Sequence, residues 1–318
     1  MSERREGTTH LRDIRRENLA APLPRERIDA LPPLGDRSFA IDFSGLSLRF
    51  DGLDAPLEAA ALRRFTVYAR DPAAAPSPLR VDVHRDDLPY YVEPERSRPE
   101  GYYRLRIVHG GGLIRLVTYS MAAWIDLSVS RAGLALGSGD YDPRERALEN
   151  FCRVAVAWMA VGRGGVLIHG ASIVREGRAY IFFGKSASGK STLAAMNTEG
   201  QVISDDLTLV LPGAGGLQVA GSPFRGTYGG GEPVLGLFPL AGIFRLVQDT
   251  RTFVEEEKPV RAFAEFVANL PFVNDALDRY PDLLGRIEQV VRSSPVLFLH
   301  FQKKPDFWAA VDAALPRG

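Results

Sequence analysis

The sequence predicts an α/β protein, α+β overall, in which a mostly antiparallel β block precedes a domain built on a phosphate loop. Three observations carry that prediction. Gly184-Lys185-Ser186-Ala187-Ser188-Gly189-Lys190-Ser191 reads G-x-x-x-x-G-K-S, with the apolar run Tyr180-Ile181-Phe182-Phe183 before it and the helical run Thr192-Leu193-Ala194-Ala195-Met196 after it. Strand, glycine loop and helix are the context in which that pattern holds phosphate. Short alternating apolar runs fill 38–136, broken by turn residues such as Asp51-Gly52 and Gly110-Gly111-Gly112. From about residue 141 the pattern changes to alternating helical and strand periods.

The division expected is a flexible arm over 1–37, a β-rich domain over 38–140 and a nucleotide-binding domain over 141–318. The arm mixes Arg and Glu with Pro22, Pro24, Pro32 and Pro33 and reads as loosely attached and partly helical. In the β block, strands are expected at 38–43, 46–50, 65–69, 79–84, 102–108, 113–119 and 124–129, with a hairpin turn at His109-Gly110-Gly111-Gly112. Tyr90, Tyr91, Tyr102 and Tyr103 read as cross-strand packing. Asp142-Pro143 opens a long helix, with Leu148, Phe151, Cys152, Ala155, Trp158 and Met159 at helical spacing. Strands follow at 166–174 and 180–183, joined through Glu176-Gly177. Past the loop helix come 201–206, a hairpin across 207–219, a glycine-rich loop over 221–231 and a strand at 240–247. Two helices starting at prolines (260–270 and 281–292), a strand at 296–301 and a last helix from Asp306 complete the chain.

Composition narrows the function classes. Lys+Arg and Asp+Glu are both 39, so a neutral chain gives no general electrostatic reason to bind nucleic acid or an anionic membrane. The single cysteine, Cys152, lies in an apolar helical pattern and reads as a small buried hydrophobe. One cysteine suits a reducing compartment, and no apolar leader or membrane span is seen, so the cytoplasm is expected.

The chemistry concentrates after residue 165. Glycines let successive backbone N–H groups form a nest for phosphate oxygens; Lys190 reaches β- and γ-phosphates, and the Ser191 hydroxyl can ligate Mg²⁺. The nucleotide-contacting set is Gly184, Lys185, Ser186, Ala187, Ser188, Gly189, Lys190, Ser191 and Thr192. Gln201-Val202-Ile203-Ser204-Asp205-Asp206 is a short β run ending in two carboxylates. Phosphoryl transfer needs a metal anchor and a group that takes the acceptor's proton, and Asp205 and Asp206 can divide those roles. His169 sits on the strand beside the nucleotide strand.

His169-Gly170-Ala171-Ser172, then the loop from Gly184 to Ser191, then Ser204-Asp205-Asp206, resemble in order and type the catalytic core of the HPr serine kinase/phosphorylase family. The likeness is close over 166–211 and looser over 221–224 and 235–246. That family's fold resembles phosphoenolpyruvate carboxykinase. The resemblance implies ATP and Mg²⁺, a serine-type hydroxyl acceptor on a peptide, protein or small molecule, and a multimer. It makes Asp205 the base, assigns Asp206 with Ser191 to the metal, and sets His169 and Lys190 at the phosphates. The β block differs from the family's amino-terminal domain, and the glycine-rich signature expected after the acidic pair is not matched; Arg225 stands nearest, as a substrate or phosphate clamp. The chain is thus more similar to the broad set of HPr-kinase-like proteins, some of which phosphorylate peptides or small hydroxyl compounds. Two other readings follow from the loop. One is an ATP-binding regulatory or scaffold module without transfer; the other is a carboxykinase-like transfer to a small acid.

Overall fold

A computed structural model of the chain describes residues 22–74, 77–94, 105–224, 226, 232–277, 280–304 and 306–315. It is a mixed α/β protein with two large, mostly antiparallel sheets. Two compact units part between Ala155 and Val156, inside a helix, rather than near residue 140.

The first unit holds α1 (Arg25–Asp29), β1 (Arg37–Phe43), β2 (Leu46–Leu53), α2 (Ala55–Phe65), β3 (Ala69–Arg70), β4 (Leu79–Arg85), β5 (Arg106–Gly110), β6 (Leu113–Val117), β7 (Met121–Asp126) and β8 (Arg131–Leu136). Its sheet runs β3-β1-β2-β4-β8-β7-β6-β5. Ser44 and Gly45 both take positive φ (55° and 93°), the twist a two-residue hairpin needs between β1 and β2. Gly111 and Gly112 (60° and 76°) do the same between β5 and β6. β2 and β4 pair in parallel because α2 carries the chain over the sheet between them, and β4 also pairs β8 in parallel.

That helix was not expected; of the strand expected at 65–69, Phe65 closes the helix, Thr66–Tyr68 form a 3-10 turn and only Ala69 lies in a strand, β3. Asp54 caps the helix, its Oδ1 accepting from the Leu57 N–H (2.9 Å), and Leu57, Ala61 and Phe65 bury one stripe. The arm expected over 1–37 is docked from α1 onward. Ile28 is fully buried, the Arg25 guanidinium lies 4.0 Å above the Trp124 ring, and Trp124 Nε1 donates to Asp29 (2.8 Å). Tyr91 is buried and donates to Asp86 (3.1 Å), while Tyr90 donates to Asp140 (2.8 Å) and meets Tyr141 edge-on. Tyr102 and Tyr103 lie outside the described residues.

The first half of α3 (Arg144–Gly162) belongs to this unit. Phe151 meets Phe50 edge-on at 6.1 Å, and Glu149 accepts both Arg64 nitrogens at 2.8 Å. Burial by itself would raise the Glu149 carboxyl; the hydrogen bond from Arg64 and the Arg153 and Arg64 charges outweigh it and hold it below its ordinary range. Cys152 is fully buried, and that burial pushes its thiol well up, as a small core hydrophobe requires.

The second unit holds β9 (Val166–Arg175), β10 (Arg178–Phe183), α4 (Lys190–Met196), β11 (Gln201–Ser204), β12 (Leu207–Gly213), β13 (Gly216–Ala220), β14 (Leu237–Gln248), β15 (Phe253–Glu256), α5 (Pro259–Val267), α6 (Pro281–Ser293), β16 (Val296–Phe301) and α7 (Phe307–Ala314). β15 was not expected. The path β10-β9-β12-β13-β14 returns on itself through a parallel β10–β14 pairing. β9 and β14 are long enough to serve two sheets each: β9 pairs β12 over its first residues and β10 and β11 over its last.

Both faces of β10 are covered, which is why it is apolar at every position from Ala179. Phe182 stacks on Phe244 (5.5 Å) and meets Phe307 and Trp308 of α7 edge-on. Phe183, on the other face, meets Phe266 of α5 edge-on at 5.7 Å. Arg175 clamps α7: it forks onto Asp312 (2.8 and 2.9 Å), pairs with Glu199 (2.9 Å) and lies 4.6 Å over Trp308. No helix among the described residues is long and apolar enough to cross a membrane.

Asp142 carries a testable consequence. Only 2% of it is exposed; Oδ2 accepts from Ser120 (3.1 Å), Oδ1 has no hydrogen-bond partner, and Arg146 stands 3.7 Å away. Burial pushes its carboxyl up from 3.8 to about 6. The folded state therefore holds this proton more tightly than the unfolded chain. The stability gained is complete below the unfolded value and is lost as pH rises through about 6. Asp142→Asn should make the protein more stable than wild type at pH 7.5, by about 2–3 kcal/mol at most, and the gain should vanish near pH 4. Paired denaturant titrations across that range check it; a gain that does not depend on pH contradicts the assignment.

Candidate active site

The glycine loop leaves β10 at Phe183 and enters α4 at Lys190. Gly189 adopts φ 103°, and a Cβ there would lie 2.6 Å from Phe301 Cζ, so glycine is required both by backbone and by space. Ala187 holds a left-handed φ of 62° without being glycine, and its carbonyl accepts from Gln248 Nε2 at 2.7 Å. The Ser188 N–H donates to the Lys185 carbonyl (2.9 Å), while Ser188 Oγ is buried with no hydrogen-bond partner. Lys190 is buried, and its ammonium donates to the Gly184 carbonyl (2.9 Å) and, more weakly, to that of Lys185 (3.4 Å).

The acidic pair occupies a break in one long strand. β11 and β12 both run antiparallel to β9, with Ser204 opposite Ser172 and Leu207 opposite His169. Asp205 and Asp206 fall between them. The Gly170 N–H still donates to the Asp206 carbonyl (2.9 Å), so the register is kept through the break. Ser204, fully buried, pins it: its hydroxyl donates to the Phe224 carbonyl (2.8 Å) and accepts from the Asp206 N–H (3.2 Å).

The two carboxylates part company from there. Asp205, 3% exposed, takes the Gly226 N–H on Oδ1 (2.7 Å) and meets the Ser191 hydroxyl at Oδ2 in a long 3.4 Å contact. Asp206, 9% exposed, lies with Oδ1 3.1 Å from His169 Nδ1. That nitrogen is buried, and the carboxylate sits off the line of a ring N–H, so the pair is within ion-pair range without a well-formed hydrogen bond. The His169 N–H donates to the Asn269 carbonyl (2.8 Å), which fixes the residue from the backbone.

Ser191 of the loop thus meets Asp205, and His169 meets Asp206, with Thr192 on the first turn of α4. Arg225 lies outside the described residues. Gly226, Gln248, Asn269 and Phe301, and the pinning role of Ser204, were not anticipated. Gly226 had a signal in its place in the glycine-rich loop and Ser204 in its place beside the acidic pair; the others contact the site through pairings remote in sequence. Among the described residues no three His, Cys, Asp or Glu side chains converge as a self-sufficient metal site. The hydroxyl of Ser191 and the carboxylate of Asp205 are hard oxygen donors, which fits a magnesium ion that takes its remaining ligands from phosphate and water. No protein-family model matches the chain, and no curated protein matches it.

Ser204→Ala should cost about 1–3 kcal/mol, because the Asp206 N–H loses its acceptor inside the protein. The midpoint of urea unfolding measures it, and a change below about 0.5 kcal/mol would mean the break is held by other contacts.

Proposed function

We propose that the chain is an ATP-dependent kinase of the HPr-kinase-like type, transferring the γ-phosphoryl group to a serine-type hydroxyl on a peptide, protein or small molecule. One observation carries the reading. The serine that ends the glycine loop and the first aspartate of the acidic pair share a contact, Ser191 Oγ to Asp205 Oδ2 at 3.4 Å, while the second aspartate faces His169. A nucleotide holder needs the loop; it does not need a second carboxylate and an imidazole at the far side of the same break.

In this reading the loop amides, the Ser188 hydroxyl and Lys190 take the phosphates, Lys190 exchanging its loop carbonyls for phosphate oxygens. Ser191 and Asp205 hold Mg²⁺, whose chemistry is to neutralise charge on the β- and γ-phosphates. This division of the carboxylates is opposite to the one the family resemblance implies, where Asp205 is the base and Asp206 the metal ligand. It is supported by the contacts of each: both Asp205 oxygens are already turned to the loop serine and the Gly226 amide, and Asp206 is turned to His169. The closed ring of strands around β9 and β14 also suits the carboxykinase-like fold that the resemblance implies.

Lys190→Ala should abolish ATP turnover and weaken ATP binding in a calorimetric titration. Asp205→Asn should raise the Mg²⁺ concentration needed for half-maximal turnover by about tenfold or more, and excess Mg²⁺ should restore much of the rate. Radiolabelled ATP assays with water, free serine and short serine peptides as acceptors measure both. ATP binding without turnover of any of these by the wild-type protein would instead support a regulatory module.

A further inference from the structure

The glycine loop contains a tight turn that its own sequence does not favour. The Ser188 N–H donates to the Lys185 carbonyl (2.9 Å) and closes a four-residue turn over 185–188. Of the two central residues only Ala187 has positive φ, 62°. That is the pattern of a type II turn, which takes glycine at this place because a Cβ is strained in the left-handed region. An alanine held there needs support from outside the turn. Gln248 supplies it, its Nε2 donating to the Ala187 carbonyl at 2.7 Å. Gln248 has a firm footing. It closes β14 opposite Phe301 at the end of β16. The next residue, Asp249, donates its N–H to the Phe301 carbonyl (3.1 Å), accepts the Thr250 N–H on Oδ1 (2.6 Å) and has Oδ2 2.9 Å from His300 Nδ1. Phe301 in turn bounds Gly189. Two strand ends therefore hold the loop at Ala187 and at Gly189, on either side of Ser188, whose buried hydroxyl has no hydrogen-bond partner among the described residues.

We propose that Gln248 is a positioning residue for phosphate binding: its side-chain amide holds Ala187 in the left-handed conformation, and with it the turn that presents the Ser188 hydroxyl and the amides after it to a phosphate chain. The inference rests on the nucleotide reading above and adds a residue, remote from the G-x-x-x-x-G-K-S run, on which the shape of the loop depends. Without the bond, Ala187 gains by returning to negative φ, the turn opens, and the N–H groups that follow lose their common focus. Glycine at 187 would hold the same φ unaided, so the dependence on Gln248 is specific to this alanine. Gln248 itself is exposed, so replacing it leaves the core intact.

The test compares the full-length wild type with Gln248→Leu and with the double variant Gln248→Leu, Ala187→Gly. In a calorimetric titration with Mg·ATP, Gln248→Leu should bind about 3–10-fold more weakly than wild type, the effect of one lost hydrogen bond. The double variant should return to within about twofold of wild type, because glycine takes the left-handed φ without steric cost. A general loss of structural support would not be repaired by removing a methyl group from the loop. Hydrogen exchange at the Ser188 amide, followed by NMR, reports on the turn with no nucleotide present. It should quicken about 3–10-fold in Gln248→Leu and recover in the double variant. An ATP affinity of Gln248→Leu within about twofold of wild type overturns the proposal, and so does a loss that Ala187→Gly leaves in place. If the wild type binds no Mg·ATP, the nucleotide reading fails, and exchange at Ser188 alone decides whether Gln248 holds the turn.

Discussion

The second unit depends on one ladder. β9 is hydrogen-bonded on one edge to β10 and on the other to β11 and then β12; along that second edge the register steps once, between Val202 and Ser204, and is then kept through the bend at Asp205 and Asp206. The Gly170 N–H to Asp206 carbonyl bond spans the break. Because the register survives, the two side chains have fixed destinations: a strand sends successive side chains to opposite sides, and a local kink redirects them without letting them slide. A buried carboxylate is costly unless its oxygens are engaged. Here each has something to meet, the loop serine and an amide for one, an imidazole for the other. The break is therefore held by its surroundings, with Ser204 and the Phe224 carbonyl acting as the pin.

Underneath, the loop is supported by aromatic packing as well as by its own bonds. Phe182, Phe244, Phe307 and Trp308 form a slab in offset and edge-on contacts, each pair contributing on the order of 0.5–1.5 kcal/mol beyond simple burial. Phe301 extends it to the loop, in contact range of Gly189. A rigid floor is what allows a seven-residue helix, α4, to stay formed at a length that is unstable in isolation. The Arg175 fork onto Asp312 secures the last helix onto the same slab.

Much of this is legible in the sequence because it is local. Glu176-Gly177 announces its hairpin through the need for two positive φ angles, and the structure has them at 52° and 75°. The strand at Val296–Phe301 and the proline-started helices α5 and α6 are likewise set by short-range chemistry. Asp54-Ala55-Pro56 carries an equally local start signal for α2, which the alternating reading of the β block passed over. What was not legible is what depends on pairing at a distance. Arg25 and Ile28 look like a loose polar arm until Trp124 supplies a ring to cover. β15 exists because β16 offers an edge, with His300 stacked on Phe253 at 4.4 Å.

The same limit explains the acidic pair. Composition shows two carboxylates after a loop helix; it does not show which one turns to Ser191, since that follows from where the ladder on β9 breaks. A single residue of register thus decides which carboxylate is dry and committed to the loop and which is left beside an imidazole. Register in a strand paired on a buried neighbour is costly to change, because one step moves every apolar side chain to the wrong face. Leu207 and Leu209, both buried and paired on β9, hold that register beyond the break. The arrangement of Asp205, Asp206 and His169 is in this sense set by the hydrophobic residues that flank them.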